Sequence, residues 1–267
     1  MHTAVVGHLE WVEFARVERL PQAGEIVHAD EVWEETGGGG AVAAVQLAKL
    51  AGECTLVTVL GADELGRRVR EQLEGQGVTV LAAARGATRR AFVHLDEAGE
   101  RTITVLGDKL RPRAKDVELD WRAFDAVDFV SGDAELLRAV RRARVVSATA
   151  RELPTLREAA VELDVLIGSG KDDGERYHAG ELEPAPKLVV TTAGALGGWA
   201  QPGGPFTAAE PPGPIEDTYG CGDSFAAGLV FALARGDEQA DALAFAARCG
   251  AAVLSGRGPY TSQLRLA

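Results

Sequence analysis

The run Asp217-Thr-Tyr-Gly-Cys-Gly-Asp223-Ser-Phe-Ala-Ala-Gly228 places an aspartate directly behind a glycine-punctuated turn that leads into alanine-rich sequence. Glycines at 220 and 222 let the amides of Gly220, Cys221 and Gly222 converge without a Cβ in the way, and the start of the following helix adds partial positive charge. Such a turn binds anions. A carboxylate in the first turn of the same helix, Asp223, is placed to take a proton from a hydroxyl as its oxygen attacks phosphorus. Phosphoryl transfer needs both parts, because the protein mainly positions reactants and stabilises the charge that grows on the transferred group. Taken alone, Asp223 reads equally well as a helix cap.

The rest of the chain must supply elements that position this segment. Its 267 residues can bury a substantial core, and a hydrophobic fraction of 46% with 25% charged residues is ordinary for a globular protein. A net charge of −12 disfavours nucleic acid and anionic membranes as partners. The basic residues Arg138, Arg141, Arg142 and Arg144 are expected on a solvated helix face. Cys54, Cys221 and Cys249 have neither disulfide nor metal-ligand spacing. No signal sequence or apolar run near 18 residues is seen, so a cytoplasmic location is expected.

Buried strands are predicted over Thr3–Val6, Thr55–Leu60, Ala126–Val130, Arg144–Ala148, Asp164–Ile167 and Lys187–Thr192. Helices are predicted over 41–51, around Leu65, Val69 and Leu73, and over 133–142, 152–163, 224–235 and 238–255. That alternation implies a mostly parallel sheet covered on both faces. Arg90–Leu106 breaks it, because Ile103 and Val105 alternate with Thr102 and Thr104 beyond a turn at 96–100, which reads as an inserted hairpin. Residues 201–216, rich in Pro and Gly, read as turns or a short hairpin.

Residues 217–228 resemble the C-terminal signature of the ribokinase-like, or PfkB-type, carbohydrate kinases, Asp-Thr-x-Gly-Ala-Gly-Asp-x-Phe followed by Gly, with Cys221 in place of alanine. The resemblance implies that Asp223 is the catalytic base, that the amides of Gly220, Cys221 and Gly222 form the anion hole, and that Asp217 lies where many members bind a monovalent cation such as K+. Thr192-Ala-Gly194-Ala-Leu-Gly197 matches the family turn that contacts nucleotide phosphate and ribose. Ser169-Gly-Lys-Asp172 falls where the family carries Asn-x-x-Glu beside Mg2+-bound phosphates, and a shorter carboxylate at Asp172 can still hold magnesium through water. ATP and Mg2+ are therefore the implied cosubstrate and metal.

Thr36-Gly-Gly38-Gly39-Gly40-Ala-Val42 resembles the family's first signature, and Gly61-Ala-Asp63-Glu-Leu-Gly66 its Gly-x-Asp-x-x-Gly, so the resemblance spans nearly the whole chain. Gly38, Gly39 and Gly40 would approach a bound polyol closely. A dinucleotide reading of Gly38–Ala43 fails on context, since residues 31–36 do not read as a buried strand and no suitable acidic residue follows. Val42 stands where the family has a sugar-bonding Asn, and Val12 where it has an Asp, which leaves Glu10, with His8, Trp11 and Glu13 nearby, to offer other contacts. A site that loses two hydroxyl contacts should change what it accepts.

The implied fold is a three-layer α/β/α domain over residues 1–267 with a mostly parallel central sheet and a small β lid from about 9–35 and 88–108. The implied activity is ATP-dependent phosphorylation of a hydroxyl on a sugar-like molecule, by a homodimer paired through lid strands. Alternatives are a nucleoside kinase of the same fold and a catalytically weak nucleotide or metabolite sensor.

Overall fold

The computed structural model describes residues 1–266, and alternation of apolar and helical sequence sets its element order. The N-terminal half runs β1 (Thr3–Val6), β2 (Glu10–Arg16), β3 (Glu31–Gly37), α1 (Gly39–Ala51), β4 (Cys54–Leu60), α2 (Glu64–Glu74), β5 (Val78–Ala84), β6 (Arg90–Leu95) and β7 (Arg101–Leu106). The C-terminal half runs β8 (Ala126–Phe129), α3 (Ala134–Val140), β9 (Val145–Thr149), α4 (Leu153–Ala159), β10 (Val165–Ser169) and β11 (Leu188–Thr192). It ends with β12 (Gly198–Gln201), β13 (Gly204–Phe206), α5 (Cys221–Arg235) and α6 (Gln239–Val253).

Nine strands form one sheet in the order β13-β12-β11-β10-β9-β8-β1-β4-β5, parallel from β11 to β5 and closed at one edge by the antiparallel β12–β13 hairpin. Side chains alternate between its faces, as the period of two requires. Val5, Ala126 and Val165 meet α1, α5 and α6 on one face, whereas Val6, Phe129 and Leu166 meet α3 and α4 on the other. A parallel sheet buried on both faces explains the near-continuous apolar runs of its strands.

A second sheet has the order β3-β2-β6-β7, with β2 and β6 parallel and the outer pairs antiparallel. Ala91, Val93 and Leu95 of β6 are buried beneath it. All six residues of β7 are exposed, so its apolar alternation faces no layer within this chain.

Several expectations shift. Strand β5, unanticipated in the sequence, is the sheet's edge beside β4, and its run of small alanines carries little β signal. Helix α4 stops at Ala159, not 163, because Ala160 turns left-handed (φ 51°) and releases the chain toward β10. Arg138, Arg142 and Arg144 are exposed as expected, but only Arg138 lies on α3, where it bonds the carbonyls of Glu158 and Ala159, and half-buried Arg141 pairs with Asp164. Residues 31–36 do form a strand, half exposed at the rim of the second sheet.

The two sheets are tied at Asp63, the N-cap of α2. Its carboxylate accepts from Gly66 N (2.9 Å) within the helix, and from Thr88 N (2.7 Å) and Thr88 Oγ1 (2.5 Å) at the entry to β6. Partial burial works against ionisation there, but these bonds hold the carboxyl below its ordinary range. Asp63→Ala is expected to lower unfolding stability in urea by about 1–2 kcal/mol at pH 7. Since the native carboxyl is the more acidic, the gap from wild type should be full above the unfolded value of 3.8 and narrow as pH falls below it.

Candidate active site

The predicted site residues gather beyond the carboxyl ends of the parallel strands, where open α/β sheets hold ligands. There the start of α1 meets the start of α5. Gly38 (φ 86°) and Gly220 (φ 82°) adopt the left-handed backbone that lets each loop turn into its helix. The approach leaves no room for side chains: a Cβ on Gly39 would lie 2.6 Å from Asp223 Oδ1, and one on Gly40 2.6 Å from the His8 carbonyl oxygen.

Asp223 sits in the first turn of α5, half-buried, and among the described residues its carboxylate accepts no hydrogen bond. The amides of Gly220, Cys221 and Gly222 are likewise left without a backbone acceptor or a capping side chain. A Cβ on Gly222 would meet nothing within 4 Å, so this cradle opens outward. Burial pushes the Asp223 carboxyl up to about 7, and the negative charges of Glu175 and Asp128 push the same way against Arg101 and Arg151. Burial also raises the Cys221 thiol, which keeps it a neutral member of the loop.

Tyr219 joins the two signatures. Its hydroxyl accepts from Gly38 N (2.9 Å) and donates to Glu10 Oε1 (3.4 Å), which brings buried Glu10 to the rim of the glycine loop. Burial, opposed by Arg89 and by Tyr219, raises the Glu10 carboxyl. Val12 and Val42 are fully enclosed: Val12 packs under Gly37 and Val42 against Gly220. Trp11 is also buried, beneath Arg68 at 4.2 Å, and Glu13 pairs with Arg90 outside the cleft. Strand β2 is an inner strand of the second sheet, not an edge.

Ser169 and Thr192 are paired neighbours at the ends of β10 and β11, and Gly170 N donates to the Thr192 carbonyl (2.8 Å). The turn continues through Gly194 to Gly197. The Lys171 ammonium lies 3.0 Å from where a Gly194 Cβ would be, adding a cation to it.

Asp172 faces elsewhere. Its carboxylate binds Arg151 and Gly174 N (2.8 Å), whereas Glu175, three residues on, accepts from Ser169 N (2.9 Å) and is the carboxylate whose charge raises Asp223 most. The three-residue shift in spacing, Asp172-Asp-Gly-Glu175, hides Glu175 from motif matching. Asp217 is fully buried under the signature loop, where its two oxygens accept from Tyr219 N (2.7 Å) and Gly258 N (3.0 Å). Burial raises it to about 6, and nearby Glu35 is raised to about 7 by burial and, against a bond from Trp33, by the charge of Asp217. Arg101, Arg151 and Tyr219 are further site residues that sequence reading missed. The arginines come from β7 and from the loop after β9, with no spacing signal.

With this geometry in place, comparison with known proteins is informative. The family model for pfkB family carbohydrate kinases matches residues 2–151 and 131–265. An ATP-dependent ribose-1-phosphate kinase of Halopiger xanaduensis is 28% identical, covering 92% of this chain and 89% of its own. An aminoimidazole riboside kinase of Salmonella typhimurium is also 28% identical, over 85% of this chain and 84% of its own. The structure of ribokinase from Cryptococcus neoformans var. grubii in complex with ADP superposes with a TM-score of 0.75 at 20% identity, covering 98% of this chain and 96% of that one, and so shares its fold.

An ionised Asp223 destabilises the folded chain. The unfolded carboxyl ionises near 3.8 and the folded one near 7, so the native state holds the extra proton and stability falls as pH rises through that window. Asp223→Asn is expected to raise Tm by a few degrees at pH 8 and to leave it nearly unchanged at pH 4, read by calorimetry.

Proposed function

Because the chain belongs to the pfkB family of carbohydrate kinases, we propose that it transfers the γ-phosphoryl group of ATP to a hydroxyl of a sugar or ribosyl compound, with Asp223 as general base. One observation carries these roles: an unbonded carboxylate and three unbonded backbone amides share the start of α5, with open space beside Gly222. The acceptor hydroxyl approaches over Gly38–Gly40. As its oxygen bonds to the γ-phosphorus, its proton passes to Asp223 and the bond to the ADP oxygen breaks. The amides of Gly220–Gly222 hold the charge on the phosphoryl oxygens, with Arg101 nearby at the lid. A base poised near neutrality suits this task, since it is ionised in the free enzyme and can still hold the proton.

The turn from Thr192 to Gly197, with Ser169 and Lys171, takes the nucleotide. Glu175, bonded by Ser169 N, borders it, and this carboxylate, in place of Asp172, suits a hydrated Mg2+, which would neutralise phosphate charge when bound. Buried Asp217 and half-buried Glu35, two carboxylates of raised affinity for protons, suit a nearby monovalent cation such as K+. Enclosure of Val12 and Val42 leaves Glu10 and the loop backbone as the polar contacts for the acceptor.

The exposed edge strand β7, with Ile103 40% and Val105 44% exposed, supports a homodimer paired through the second sheet, since unpaired strand edges are normally covered. Light scattering is expected to give twice the chain mass for wild type and the single-chain mass for Val105→Glu. A wild-type monomer would end the dimer assignment.

For catalysis, Asp223→Asn is expected to lower kcat by roughly 100- to 10,000-fold, with KM for ATP within about threefold. The wild-type kcat/KM should fall with decreasing pH below about 7, where the base becomes protonated. Acceptor-dependent ADP release measures both; undiminished turnover in the variant would remove Asp223 from the mechanism.

A further inference from the structure

Resting on the kinase reading above, we infer that the acceptor carries an anionic group, a phosphate ester or a carboxylate, held by Arg89, Lys109 and Arg111 on the lid side of the cleft. Arg89 immediately precedes β6, where its carbonyl accepts from Trp11 N (2.9 Å). Lys109 and Arg111 lie on the segment that returns from β7 to the main sheet. The side chains of Arg89 and Lys109 are only 14% and 19% exposed.

Their partners are too few. Glu152, 1% exposed, is shared by Lys109 (3.2 Å) and Arg111, while Glu10 stands 3.5 Å from Arg89 Nε, outside hydrogen-bond reach in this geometry. Three cations thus face two carboxylates. Arg151 adds nothing to the balance, because Asp172 and Glu175 hold it.

The surplus is visible in the groups it surrounds. Arg89 Nε and His8 Nδ1 are both buried with no hydrogen-bond partner. His8 is driven well below its ordinary value by burial and then by Lys109, Arg89 and Arg111, so it stays neutral and adds no further cation. A buried donor in a positive surround is costly to leave unpaired, and an anion relieves it.

Position ties the cluster to the chemistry. Glu10, beside Arg89, is bonded by Tyr219, which bonds Gly38, whose neighbour Gly39 lies against Asp223. These contacts run from Arg89 through the glycine loop to the base, so an acceptor lying over the loop meets Asp223 with its reacting hydroxyl and the cations with its anionic group. Charge there takes the place of the hydroxyl contacts that enclosed Val12 and Val42 do not make. A neutral sugar would leave Arg89 Nε without a hydrogen-bond partner, which discriminates more strongly than a missing attraction.

The test compares D-ribose, inosine, ribose 1-phosphate, ribose 5-phosphate and gluconate as acceptors in ADP release, for wild type, Arg89→Gln and Lys109→Gln. Arg111 still pairs Glu152 in the lysine variant, and melting curves check that both variants fold. A phosphorylated or carboxylated acceptor is expected to exceed the neutral ones in kcat/KM by about 100-fold. Each variant should raise KM for that acceptor by roughly 10- to 100-fold while kcat and KM for ATP stay within about threefold. Gluconate against the sugar phosphates tells carboxylate from phosphate ester. Equal turnover of a neutral sugar, or variants with unchanged KM, overturns the anion subsite and leaves the kinase standing. Should no acceptor be turned over, the kinase reading fails instead, and calorimetry of ribose 5-phosphate and gluconate with ADP present decides the subsite: binding heat lost in Arg89→Gln supports it, and no such heat for either ligand overturns it.

Discussion

Everything in the cleft depends on main chain packed against main chain and side chain at the crossing of two loops and two helix starts. A Cβ on Gly7 would lie 2.7 Å from Gly40 Cα, one on Gly39 2.6 Å from Asp223 Oδ1, and one on Gly220 2.9 Å from Val42 Cγ1. Contacts this close fix the start of α1 against β1 and the start of α5 against α1. Asp223 therefore has little freedom, and preorganisation of this kind is what a base beside an anion cradle requires.

The same crowding concentrates charge. Beyond burial, the charges of Glu175 and Asp128 raise the Asp223 carboxyl, and Asp128 itself is buried on β8, raised to about 6 by burial against a 2.8 Å bond from Ser147 Oγ. In the proposed role, the chain accepts an unfavourable native charge to hold a proton acceptor near neutrality. Such local conflict between stability and chemistry is typical of active sites.

The second sheet is bound to the site through an aromatic relay. Phe14 of β2 stacks on Trp33 of β3 with centroids 4.8 Å apart, and meets Tyr219 edge-on at 5.3 Å. Tyr219 fills the space beneath Gly37 where Val12 also packs, so the apolar residue at position 12 belongs to a solid core and not to a pocket wall. Movement of this sheet and the geometry of the signature loop are therefore coupled by contact. Cys54 and Cys249 stay buried within the core and take no part.

Much of this was legible in the residue order. The parallel alternation, the inserted hairpin, the glycine turn before Asp223 and the turn after β11 at Thr192–Gly197 all follow from local period, turn chemistry and family motif, which are properties of neighbouring residues. Strand β5 was not anticipated because its strand-forming Val78–Leu81 is followed by three alanines that carry little strand signal, and α4 ended early because a left-handed Ala160 is not foreseeable from its side chain. What only the tertiary structure decided is which charges meet. Glu175 approaches Asp223 in place of Asp172, Tyr219 links Gly38 to Glu10, and Arg89 joins Lys109 and Arg111 around His8. Those residues lie far apart in the chain, and their electrostatic coupling depends on distance and burial, which exist only once the sheets and loops have closed on one another.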